Sequence, residues 1–283
     1  GGGDDDEEQQ LDEEDQQLIE DKHKMLKRTV QARPFDQDAL CELAAFCWET
    51  LGDIAEADTL YKRAVDANPF DPEAACNYAH FLRTERRDLE GAEAMYARAT
   101  ESNPNDVDSL TAHAEFLTEE RRNVSGADAL YRRAVEACPT DAGALCDYAR
   151  FLVEHKKDAD SAEKMLWRAV EAWPRDSSAL CALAAFLRDE RRDMDKAEEY
   201  FRKGAESAPH DADALCDLAH FMSDERRDID SADLLLQAAV QSNPEDPDVL
   251  EAYAEFLKRQ RRDRKGADAL RLRAARIKEL HDA

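Results

Sequence analysis

The chain has 283 residues, of which 37% are charged, with 65 acids against 39 lysines and arginines and a formal net charge of −26. A negative field of that size repels phosphate, which argues against nonspecific binding to nucleic acid or anionic membrane and favours basic partners. Nine glycines and nine prolines are too few for the tight turns of a sandwich or barrel, and the abundant Ala, Leu, Asp, Glu and Arg are a helical vocabulary.

Seven cysteines form no CxxC and no even framework, so an intracellular, reducing compartment is expected, the cytoplasm first. No apolar run approaches the ~20 residues that span a bilayer, so no membrane insertion is expected. The chain opens Gly1-Gly2-Gly3 with no initiator methionine, as an excised segment would, and any targeting signal before it is unreadable.

In chain order, residues 1–15 form an acidic segment with almost nothing to bury, expected to be disordered or frayed. Residues 16–35 read as a capping helix with Leu18, Ile19, Met25, Leu26 and Val30 on one side, ending at Pro34 in phase with the second helix of a repeat. From residue 36 to 283 the sequence repeats itself. Aspartate recurs every 35 residues at 36, 71, 106, 141, 176, 211 and 246, each preceded two residues earlier by proline.

Each repeat holds two amphipathic segments. The first reads as Ala144 to Leu152 does, the second as Ala92 to Ala99 does, both with apolar residues at helical spacing. The leading aspartate is a natural N-cap, with Pro72 and Pro247 following at the favoured first helical position. A second Asp or Asn, at 53, 88, 123, 158, 193, 228 and 263, can cap the second helix, worth ~1 kcal/mol per cap. One helix pair cannot bury its apolar face alone, so stability must come from stacking. The last repeat has Arg271 in place of its second-helix aromatic and adds Arg273, Arg276 and Lys278, the polar face a terminal cap needs.

These residues resemble tetratricopeptide repeats. Ala92, Tyr96, Ala99 and Pro104, and again Ala127, Tyr131, Ala134 and Pro139, match the family's second helix, and alanine holds the helix-crossing position at Ala44, Ala79, Ala114, Ala149, Ala184, Ala219 and Ala254. Two features depart from the family: Leu40, Ala75 and Leu110 replace its first-helix Trp, and the turn between helices is one residue longer. The Tyr-Ala-x-Phe-Leu wording at Tyr78, Tyr148 and Tyr253 is similar to a subgroup of poorly defined function and to the half-tetratricopeptide repeats of RNA-processing scaffolds. The latter usually carry arginine where this chain has Glu93, Asp128, Glu163, Glu198 and Asp233. The resemblance implies an all-α, right-handed α-solenoid of seven helix-turn-helix repeats behind an N-terminal capping helix. It implies a non-catalytic protein-interaction scaffold in complex assembly.

Two surfaces are candidates. By resemblance the first helices line an inner groove, where Glu42, Asn77, His80, Glu115, Asp147, Arg150, Asp217 and His220 would meet a basic or mixed-charge partner segment. Along the turns runs a basic edge of Arg86-Arg87, Arg121-Arg122, Lys156-Lys157, Arg191-Arg192, Arg226-Arg227 and Arg261-Arg262. It either complements helix dipoles and neighbouring turns or docks an acidic surface. A structural subunit lying along a filament is the alternative use of that edge, and an RNA-processing scaffold the third reading.

Cys41, Cys76, Cys146, Cys181 and Cys216 share one repeat position. Stacked helices lie ~9–10 Å apart, too far for a disulfide ladder, so these read as small spacers. Histidines at 80, 113, 155, 210, 220 and 281 show no HxxxH or HExxH spacing, and no phosphate loop or nucleophile elbow occurs. No metal, cofactor or catalysis is therefore expected. The acidic start and a stretch from 258 to 278 with ten basic residues against two acids leave head-to-tail self-association open.

Overall fold

The computed structural model describes residues 4–282, with side chains from 16 to 278. Among the described residues it is all helix. A first helix, α1 (Asp4–Ala32), precedes seven helix pairs: α2 (Gln37–Glu49) with α3 (Ile54–Ala67), α4 (Pro72–Thr84) with α5 (Leu89–Ser102), α6 (Val107–Glu119) with α7 (Val124–Ala137), α8 (Ala142–Phe151) with α9 (Ala159–Ala172), α10 (Ser177–Asp189) with α11 (Met194–Ser207), α12 (Ala212–Phe221) with α13 (Ile229–Ser242), and α14 (Pro247–Phe256) with α15 (Arg264–Asp282). The chain divides into two compact units, 1–137 and 138–283.

α1 begins at Asp4 rather than near residue 16. The acidic segment holds no glycine or proline beyond residue 3, its Glu and Gln are good helix formers, and acids at a helix N-terminus are favoured by the dipole. Both sets of caps form. Asp36 accepts from the Ala39 amide at 3.1 Å and Asp141 from that of Ala144 at 2.8 Å. At the second-helix starts, Asp53 accepts from Glu56 at 2.9 Å and Asn123 from Gly126 at 3.0 Å.

The 35-residue period has a visible cause. Each first helix closes with a backbone bond six residues long: Asp53 to Cys47, Asp88 to Leu82, Asn123 to Leu117, Asp158 to Leu152, Asp193 to Leu187, Asp228 to Met222 and Asp263 to Leu257, all at 2.8–3.0 Å. An ordinary helix-ending Schellman bond spans five. The widened turn absorbs the extra residue, and the residue before each of these donors is left-handed, with φ of +51° to +62°.

Within each unit the core lies between paired helices. Ala44, Ala79, Ala114, Ala149, Ala184, Ala219 and Ala254 are all 0–1% exposed, so the backbones meet closely. Phe81 and Phe116 in the first unit and Phe201 and Phe221 in the second are its largest fully buried side chains. Second-helix arginines tie repeats together by donating to the proline carbonyl 29 residues earlier, as Arg98 does to Pro69 at 3.2 Å and Arg168 to Pro139 at 3.0 Å. The cysteines are free thiols. Cys181 Sγ would lie 2.8 Å from a Cβ on Gly204, a position that holds alanine in the other second helices.

Candidate functional site

The two cations of each turn have different fates. The first folds back onto the preceding repeat's second helix. Arg121 lies 2.6 Å from Glu93, Arg191 2.6 Å from Asp160 and 2.7 Å from Glu163, Arg226 2.6 Å from both Asp195 and Glu198, and Arg261 2.7 Å from Asp230 and 2.9 Å from Asp233. Arg86 makes a longer contact, 3.9 Å, with Asp58, which also accepts from Lys62 and the Tyr78 hydroxyl. The guanidinium groups of Arg121, Arg191 and Arg226 also cover Phe116, Phe186 and Phe221 at 5.4–5.8 Å. The acids at Glu93, Glu163, Glu198 and Asp233 are thus the internal counterions of the next turn.

The second cation is the left-handed residue. Arg87, Arg122, Lys157, Arg192, Arg227 and Arg262 have φ of +51° to +60°. All are exposed, and among the described residues none makes an ion pair. In repeat one the same place holds Gly52, at φ +62°, the residue this conformation favours. The signal that separates the two cations was therefore present in the sequence, in Gly52, but could not be read without the turn.

The inner-face residues are brought together in part. Between α2 and α4 lies a hollow of about 490 Å³ lined by Glu42, Asn77 and His80, and also by Gln37, Asp38, Cys41, Trp48, Glu49, Tyr61, Asp71 and Glu73. Five of those residues are carboxylates and none is a cation. Asp71 caps α4; among the described residues Asp38, Glu42, Glu49 and Glu73 make no ion pair. Trp48 packs on His80 at 5.6 Å and edge-on to Phe81 at 5.6 Å. The side-chain oxygen of Gln37 is buried without a hydrogen-bond donor. Burial pushes the Cys41 thiol up to about 11, so its sulfur adds no charge to the hollow.

The other inner residues are placed differently. Glu115 lies 3.9 Å from Arg83, which also pairs with Glu119 and Glu120. Asp147 and Arg150 neutralise each other at 2.9 Å. In the second unit Arg150 lines a smaller, more apolar hollow of about 270 Å³ with Val153, Leu166, Ala182, Ala185 and Phe186. Asp217 and His220 share α12. Asp217 reaches solvent but is crowded by protein, which raises its carboxyl pKa against the pull of His220.

With this geometry in view, the family model described as tetratricopeptide repeat matches residues 82–142. The fold is a tetratricopeptide-like helical solenoid. Solved structures of the same fold include yeast Tom70, 16% identical with a TM-score of 0.71 over 93% of this chain and 58% of that one. A tetratricopeptide repeat protein from Parabacteroides merdae is 18% identical, with a TM-score of 0.59 over 87% and 97% of the two chains. Human IFIT1, solved as a dimer with PPP-AAAA, is 18% identical with a TM-score of 0.58 over 86% and 59%. The chain thus spans little more than half the length of Tom70 and of IFIT1. No curated protein matches the sequence. Among the described residues no helix is long and apolar enough to cross a membrane.

Proposed function

We propose that the protein is a non-catalytic interaction scaffold whose α2–α4 hollow takes a basic segment of a partner protein. The observation that carries this reading is a concave space with five carboxylates, no cation and a tryptophan in its wall. Unpaired acids on one concave face raise the local concentration of a cationic partner and speed its encounter. A lysine or arginine entering there can lie near the Trp48 ring, a contact worth ~0.5–2 kcal/mol. Its N–H groups can also satisfy the orphaned Gln37 oxygen. Glu115 and Asp147, by contrast, already face arginines.

The test is fluorescence anisotropy with a labelled Lys/Arg-rich peptide and an Asp/Glu-rich control. The basic peptide binds, and the Glu42→Gln/Glu73→Gln double variant weakens it by about tenfold or more, the equivalent of ~1.4 kcal/mol. Equal binding of both peptides, or an unchanged affinity in the double variant, contradicts the reading.

A second reading concerns the turns. In the second unit four exposed cations, Lys157, Arg192, Arg227 and Arg262, are held in a backbone conformation that disfavours side chains, and strain retained at a surface points to use. A partner with acids at matching intervals would bind this edge. Neutralising Arg192 and Arg227 then weakens capture of the acidic peptide, while neutralising Arg191 and Arg226 chiefly lowers stability.

A further inference from the structure

The first repeat departs from the array at three positions that meet in space. Cys47 stands where Leu82, Leu117 and Leu152 stand in the repeats that follow. Glu56 stands where every later repeat has glycine, serine or lysine, from Gly91 to Gly266. His23, counted in the same phase through α1, replaces the acid found at Asp58 and Glu93. One donor atom from each of the three side chains lies within 4.8 Å of the other two. Cys47 is buried, His23 and Glu56 are half-buried, and Nε2 of His23 is buried with no hydrogen-bond partner. A buried nitrogen left unpaired is costly, which is a reason to look for a ligand against it. None of the three residues lines the α2–α4 hollow.

We propose that His23, Cys47 and Glu56 form a three-ligand site for a divalent cation of the zinc class, with water completing the coordination. The donor set is one imidazole, one thiol and one carboxylate, the borderline mixture that zinc accepts and that calcium and magnesium do not favour. Donors around a tetrahedral zinc lie ~3.3–3.8 Å apart, as bond lengths of ~2.0–2.3 Å require, so closure needs only modest side-chain rotation. Loading converts the Cys47 thiol to a sulfur–metal bond and releases its proton to solvent. The ligands come from α1, α2 and α3, so one cation pins the N-terminal helix to the first pair. Lys27 opposes it: its ammonium lies 3.2 Å from Glu56, occupying the carboxylate and adding a like charge.

The experiment is titration of the full chain with cobalt(II), then competition with zinc(II). Thiolate coordination gives a sulfur-to-cobalt charge-transfer band and tetrahedral d–d bands, which zinc abolishes. Zinc also raises the melting temperature. Both effects disappear in Cys47→Leu, which restores the residue of the following repeats and so folds, and persist in Cys138→Ser. His23→Ala weakens binding at least tenfold, and Lys27→Gln tightens it several-fold. An octahedral cobalt spectrum identical in the original chain and Cys47→Leu overturns the proposal, as does a zinc-insensitive melting temperature. Loss of the band in Cys138→Ser alone places the thiolate elsewhere and overturns it equally.

Discussion

The hollow between α2 and α4 and the one beside α8 and α10 are built from equivalent positions 105 residues apart. Trp48 corresponds to Val153, Ala45 to Arg150, Asn77 to Ala182, His80 to Ala185 and Tyr61 to Leu166. The backbone frame is the same because the caps, crossing alanines and widened turns recur in both units. The chemistry is not. The first space is larger, with five carboxylates and no cation; the second is smaller, walled by Val, Leu and Ala, lined by three carboxylates (Glu154, Asp189 and Glu190), and carries an arginine already paired to Asp147. Residues that build the repeat are constant, and residues that face the hollows vary between repeats.

That contrast can be broken from either side. Ala45→Arg writes the cation of the second hollow into the first; it should weaken a basic peptide by about a hundredfold, since a buried like charge costs several kcal/mol. Trp48→Val removes the ring and should cost about threefold to thirtyfold, the range of a cation–π contact. Both are read by anisotropy, with melting curves to confirm folding.

The constant frame should respond alike in the two units. Asp36→Ala and Asp141→Ala each remove a cap whose bond is seen directly, and each should cost about 1 kcal/mol in chemical denaturation. Arg87→Gly and Arg192→Gly relieve the same left-handed strain and should each gain about 0.5 kcal/mol. A gain in one and a loss in the other would show that the turns are not equivalent.

The smallest effect is a pH dependence confined to the first unit. His113 occupies the place of Tyr78 and Tyr148, and burial lowers its pKa below the ordinary 6.5. The unfolded chain therefore takes up the proton first as pH falls. Stability from keeping this ring neutral is present above about pH 6.5 and declines as the pH drops below it towards the folded value. His113→Tyr should flatten that decline in a melting series.

Most of the frame was legible because it is local. An aspartate three residues ahead of a helical amide, a proline at the turn and an alanine at the crossing each declare themselves within a few residues. Glu42, Asn77 and His80 were set on one face by the resemblance to tetratricopeptide repeats, and they line one hollow. What was hidden is pairing. Whether Glu115 or Asp147 is free depends on Arg83 and Arg150, and two adjacent arginines look alike until one is seen to be left-handed. The convergence of His23, Cys47 and Glu56 was hidden too, because separations of 24 and 9 residues match no metal-binding spacing and only stacking closes them.

The central claim is that side chains facing the hollow, not the shared frame, decide what binds. It is tested most directly by calorimetric titration of the Lys/Arg-rich peptide into a graft of the first hollow onto the second, Arg150→Ala with Gly143→Asp, Val153→Trp, Ser178→Glu, Ala182→Asn and Ala185→His. The account predicts that the graft binds a second equivalent of peptide, while the original chain binds one. A graft that folds yet still binds a single equivalent, with unchanged affinity, would contradict it.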